Sequence, residues 1–153
     1  MQRLTGIIIN FFQNQGFVIV STIDKGGNVH NSCKGIVKIK QNGTIYLLDL
    51  YRAKTLANLK RNPHISITAV DEHGFKGYCL KGKATLIKRE NLDSKLVRVW
   101  EDKISSRIAL RLLKNIRQEK GHPRHPEALL PEPEYMIMMR VNEVIDLTPH
   151  HLK

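Results

Sequence analysis

Apolar and polar positions change period several times along the 153 residues, and each change marks an element. Leu4, Ile7, Ile8, Phe11 and Phe12 share one face at helical spacing, which predicts a helix over Leu4–Phe12. Asn14-Gln15-Gly16 ends it. Phe17–Ile23 is rich in β-branched residues and predicts a strand. Asp24-Lys25-Gly26-Gly27-Asn28 is a turn signal that makes a hairpin with a strand over about Val29–Lys40. Gln41-Asn42-Gly43 turns the chain again into a strand over Thr44–Leu50. Lys54–Arg61 reads as a short amphipathic helix with Leu56 and Leu59 inward, stopped by Pro63. His64–Val70 alternates as a half-buried strand. Phe75–Ile87 reads as a long strand with Gly77 and Gly82 at bends or bulges.

From Glu90 to Lys120 the period becomes helical. Leu92, Leu96, Trp100, Ile104, Ile108, Leu112 and Ile116 recur every four residues, and Ser105-Ser106 is a point where the helix divides in two. A proline-rich loop follows to Pro133, and Tyr135–Leu147 predicts a last strand. Six strands joined mostly by tight turns, with few helices, predict a small antiparallel barrel. The length suits one domain over residues 1–153, with a helical insert at about 90–133.

Composition narrows the function classes. The chain is 41% hydrophobic, enough for a core, and no apolar run reaches the roughly 20 residues that span a bilayer. The N-terminal apolar patch lacks a small-residue cleavage site, so a cytoplasmic location is expected. A net charge of +11 favours anionic partners, but the excess is spread along the chain and reads equally as a solvated surface. Cys33 and Cys79 lie far apart in strand-like segments and are expected to be buried thiols. Seven histidines give no metal-ligand spacing. His122 and His125 flank a loop dipeptide and His150-His151 lies near the last residue, so no metal site is expected. No nucleophile elbow, zincin motif or phosphate-binding glycine loop occurs. The cations of the long helix are interleaved with Glu101, Asp102 and Glu119. They read as a solvated face, so nucleic acid is not an expected partner there.

The segment Ile45–Ser66 carries the candidate chemistry. Arg52, Lys54 and Thr55 gather where a strand gives way to a helix. Free N–H groups at a helix start, joined by cations, can seat a phosphate. The alternative is plain surface charge between two elements, and local chemistry leaves both open.

The order of segments resembles the pyridoxamine 5′-phosphate oxidase-like, FMN-binding split-barrel family. The matching pieces are FVIVSTIDKGGNVHNSCKGIVKI, IYLLDLYRAKTLANLKRNPHISITAV, FKGYCLKGKATLI and MRVNEVIDLTP. The resemblance implies a mainly β fold with flanking helices, a six-stranded antiparallel split β-barrel. It implies a homodimer with FMN at the subunit interface. It places the flavin phosphate on Arg52, Lys54 and Thr55, and the ring beside Asn31, Ser32, Cys33, Lys34 and Gly35, with a further contact from Leu48 and Asp49. Another flavin, a deazaflavin or haem are the alternative cofactors. Lys34 is the residue expected to supply positive charge near the ring.

The sequence departs from the namesake oxidases. It has Lys54-Thr55 for an adjacent Arg-Lys pair, and Gly77 near their ring-contacting glutamine, leaving that contact to Tyr78 or Lys81. After Ile145 it reads DLTPHHLK, without their Trp and Arg-Leu-His-x-Arg substrate motif. The expected function is therefore an FMN-dependent oxidoreductase acting on an unspecified small molecule or redox partner. A non-catalytic flavin-binding sensor or store is the first alternative, and a basic nucleic-acid-binding protein the second.

Overall fold

Alternation of apolar and polar residues gives each strand one face that must leave water, and the shortest way to bury six such faces is to close the sheet on itself. A computed structural model of the chain describes residues 2–49, 53–117 and 134–152. In chain order it contains α1 (Gly6–Gln13), β1 (Val18–Ile23), β2 (Val29–Ile39), β3 (Thr44–Leu48), α2 (Lys54–Arg61), β4 (His64–Asp71), β5 (Lys76–Lys88), α3 (Ser94–Ile116) and β6 (Tyr135–Asp146). The strands form a closed antiparallel barrel in the order β1-β2-β3-β6-β5-β4, with β1 pairing β4 to complete the ring. The barrel predicted from the turn spacing is thus present, mainly β with flanking helices.

The inward faces make one core. Val20, Ile45, Leu47, Ile67, Leu80, Ile137 and Met139 are fully buried, and α1 and α2 add Phe12 and Leu59. A second cluster lies outside the barrel wall. There Leu96, Trp100 and Ile104 of α3 pack on Val37, Leu48 and Met136. Of the periodic apolar residues of the long helical segment, Leu92, Leu96, Trp100, Ile104 and Ile108 therefore form the stripe that lays α3 on the barrel, while Ile116 is exposed.

Gly82 sits at a register shift of β5 against β6. A Cβ there would lie 2.0 Å from the Arg140 carbonyl oxygen, so only glycine allows this approach. A second shift, between Ile36 and Lys38 of β2, bends that strand beneath α3.

Two sequence expectations need correction. Ser105 and Ser106 do not divide the long helix, which runs unbroken over Ser94–Ile116. Both serines are exposed, and the flanking Ile104 and Lys103 tie the same turn to the barrel, so nothing there favours a break. The cysteines are not buried. Cys33 is exposed and Cys79 half-buried, both as free thiols, because each falls on an outward-facing position of its strand.

Candidate functional site

α2 starts without a side-chain cap. Ala53 stands at its N-cap with no side-chain hydrogen bond, and its first turn holds no acidic residue. The leading N–H groups of the helix thus have no carboxylate or hydroxyl from the cap to satisfy them. Lys54 is exposed at this end. Arg52, the other cation expected here, lies outside the described residues.

Short polar side chains hold α2 to the barrel. Thr55 is buried, and its Oγ1 is 3.1 Å from Ser32 Oγ on β2. One turn on, Asn58 Nδ2 donates to Thr22 Oγ1 of β1 at 3.0 Å, in a buried contact. Arg61 donates to the Ile23 carbonyl at 2.6 Å. Leu59 fills the core between these anchors. The helix start therefore has a fixed position over β2, which joins two of the sequence segments expected to share a site.

The strand period separates the rest of that set. Along β2, Ser32 and Lys34 turn with Ile36 to the barrel interior, while Asn31 and Cys33 face outward and are exposed. Gly35 lies under α3, where a Cβ would sit 3.2 Å from Arg107 Nη1. Leu48 also faces outward, beneath Trp100 in the second cluster. The strand residues of the set therefore face opposite sides of the barrel wall, Ser32 and Lys34 inward and Asn31, Cys33 and Leu48 outward, while Arg52 lies outside the described residues.

Inside the barrel, Lys34, Asp49 and Tyr135 form a row across β2, the end of β3 and the start of β6. Lys34 Nζ donates to Asp49 Oδ1 at 2.8 Å, and the Tyr135 hydroxyl donates to Asp49 Oδ2. All three are buried. Lys34 is thus not a free cation, because a carboxylate neutralises it at contact distance. Tyr135 was not among the sequence candidates. It lies 86 positions from Asp49, and only the pairing of Leu48 with Met136 brings the two together.

Two cavities lie elsewhere. One, of about 340 Å³, is lined by the end of α1 and by Lys103, Ser106 and Arg107 of α3. Lys103 Nζ donates to the Ile36 carbonyl at 3.0 Å, and Arg107 donates to the Gly16 carbonyl at 2.6 Å. Partial burial, helped by the nearby Arg107 charge, pulls the Lys103 ammonium below its ordinary value of 10.5. The other cavity, about 470 Å³, runs along the outer wall past Ser21, Ile23, Val29, Ser66 and Lys81. No candidate cofactor residue lines either one. Tyr78 turns inward against the Phe11 ring at 5.0 Å, and Lys81 lies 3.6 Å from Glu143. No group of three or more His, Cys, Asp or Glu side chains converges among the described residues.

The sequence matches the pyridoxamine 5′-phosphate oxidase family over residues 6–131. The chain belongs to this family. Solved structures share the family fold at low identity. HupZ of Group A Streptococcus has a TM-score of 0.63 at 17% identity, over 95% of this chain and 94% of its own. HutZ, the haem storage protein of Vibrio cholerae, has a TM-score of 0.55 at 18% identity, over 94% of each chain. An F420 reductase has a TM-score of 0.52 at 11% identity, over 84% of this chain and 88% of its own. Among curated proteins, none matches this sequence. Proteins of this fold thus include an F420 reductase and a haem storage protein, so the fold leaves the choice of cofactor to the residues of the site.

Proposed function

We propose that the chain is an FMN-binding flavoprotein that uses the flavin to transfer hydride or electrons to a small molecule or redox partner. The observation that carries this reading is the Ser32–Thr55 contact, which fixes an uncapped, acid-free helix start beside the second strand. That donor set suits a phosphate monoester. The N–H groups at the start of α2 would take its oxygens, Lys54 would add charge, and Arg52 precedes them by two positions. The flavin, when bound, supplies the redox chemistry, and the chain binds and orients it. On β2, the outward Asn31 and Cys33 are the residues within reach of a ring lying on the barrel wall. Lys34 and Asp49 support that wall from inside as a neutral pair.

A second copy of the chain completes the site in this reading. Ile19 and Val29 are outward-facing and exposed at 45% and 70%, and Ile19 lies directly opposite Cys33. An apolar stripe beside the ring contacts suits a subunit interface.

The test is the ligand that copurifies, identified by mass and absorbance. Flavin bleached by a nicotinamide donor supports the oxidoreductase. The double substitution Arg52→Ala/Lys54→Ala should release the flavin, and full occupancy in that variant would count against the phosphate seat. A second reading, storage without turnover, is favoured by the likeness to a haem storage protein. It predicts a bound haem or flavin that no donor reduces.

A further inference from the structure

The +11 charge looks diffuse in sequence, but the barrel gathers part of it on one wall. His64 of β4 lies directly opposite Lys83 of β5, and Lys83 lies opposite Arg140 of β6. Arg140 in turn pairs with Thr44 of β3, whose carbonyl accepts from the Lys40 backbone N–H at the end of β2. Lys38 stands opposite Tyr46, two residues further along the same face, and Lys40 lies 5.2 Å from that ring. Backbone bonds from Gln2 to Val141 and from Leu4 to Gln41 hold Arg3 over the same end of the barrel. All six basic residues are exposed, and none forms an ion pair among the described residues. The next carboxylate along β6, Glu143, is beside Lys81 instead.

The Lys83 and Arg140 charges, set directly opposite on neighbouring strands, repel one another. A wall built this way has an unmet demand for a polyanion. Its arc covers four inter-strand gaps, roughly 19 Å at about 4.8 Å each, a length over which duplex DNA presents on the order of ten phosphates. β3, β5 and β6 carry no exposed large apolar side chain, so the middle of the wall has no apolar anchor to enter a bilayer. Lys38, His64, Lys83 and Arg140 come from strands, Lys40 follows β2 and Arg3 precedes α1; none sits on a helix or ribbon shaped for a groove, so they would meet phosphates and not base edges.

We propose that this wall, formed by Arg3, Lys38, Lys40, His64, Lys83 and Arg140, binds the phosphate backbone of nucleic acid without sequence preference. The surface is separate from the start of α2 and from the barrel interior, touching only the far end of α2 through His64 and Asn62, and it does not depend on the identity of the cofactor.

The experiment measures binding of the intact protein to fluorescent duplexes of two unrelated sequences across about 50 to 200 mM salt, by anisotropy. Equal affinity for both duplexes is expected, with a log–log salt slope of about −4 to −5. Lys83→Glu/Arg140→Glu should weaken binding by about tenfold or more and flatten the slope by about 2. The matched reversal Lys95→Glu/Arg98→Glu on exposed positions of α3 should leave both nearly unchanged. No binding at low salt would overturn the proposal, as would equal loss in the α3 variant. Tighter binding to vesicles of phosphatidylserine and phosphatidylcholine than to either duplex would overturn it as well. Far-UV circular dichroism of each variant checks that the barrel is intact.

Discussion

Lys34 brings a charge into the barrel interior, where Asp49 meets it and Tyr135 donates in turn to Asp49. Burying two charges is tolerable only while they stay paired and hydrogen-bonded. Among the described residues Lys34→Met leaves Asp49 with the tyrosine as its side-chain partner, and it should lower stability by about 3–5 kcal/mol. Lys34→Met/Asp49→Asn removes both charges and should recover much of that loss. Urea unfolding of the two variants, read as a double-mutant cycle, measures the difference; equal losses in both would argue against a coupled pair. The pair also changes what Lys34 does for a bound flavin. In the proposed flavoprotein its charge would reach the ring only after subtraction of the Asp49 charge, so its influence on the flavin potential would be weaker than the sequence implies. Lys34 and Asp49 could each be picked out in the sequence as polar residues in apolar strands. Their partnership could not, because it depends on the register of β2 against β3.

At the scale of elements, α3 is fixed to the barrel by an apolar stripe and by two cations that satisfy backbone carbonyls. The stripe was legible from its four-residue spacing. The carbonyls were not. Lys103 reaches Ile36 where the β2 ladder shifts register, and a register shift leaves no mark in one strand's sequence. Lys103 binds its proton less tightly folded than unfolded, because burial and the Arg107 charge both disfavour the ammonium. Between its lowered folded value and 10.5, the unfolded chain therefore holds more protons, and stability from this group rises with pH through that window. Below the window both states are protonated, and the penalty for the half-buried cation is fully present. In Lys103→Arg the cation persists at all these pH values. The stability of the native protein relative to this variant should therefore rise as pH approaches 10.5, measured by denaturant unfolding at several pH values. A pH-independent difference would show that the ammonium is not desolvated.

At the scale of the whole molecule, the outer face of the barrel carries, beside the part covered by α3, an apolar stripe on β1 and β2 and a basic wall across β4, β5, β6, β3 and the end of β2. If the stripe joins two copies, Ile19→Asp should convert the protein to monomers by light scattering and release bound flavin, while leaving the barrel folded, since Ile19 is 45% exposed. A dimer that survives the substitution would move the interface elsewhere. The sequence by itself determined the order and type of the elements, the turns between them and the barrel they close. Those features are local: periods of two and 3.6, glycine-bearing turns and a proline stop act over a few residues. It also supplied the residue types at the start of α2. Only the tertiary structure decided which residues meet. Closure of the barrel sends Asn31 and Cys33 outward and Ser32 and Lys34 inward, adds Tyr135 to Asp49 from 86 positions away, and collects six scattered basic residues on one wall. Those distances depend on strand register and closure, which are set by the packing of the whole core and not by any single segment.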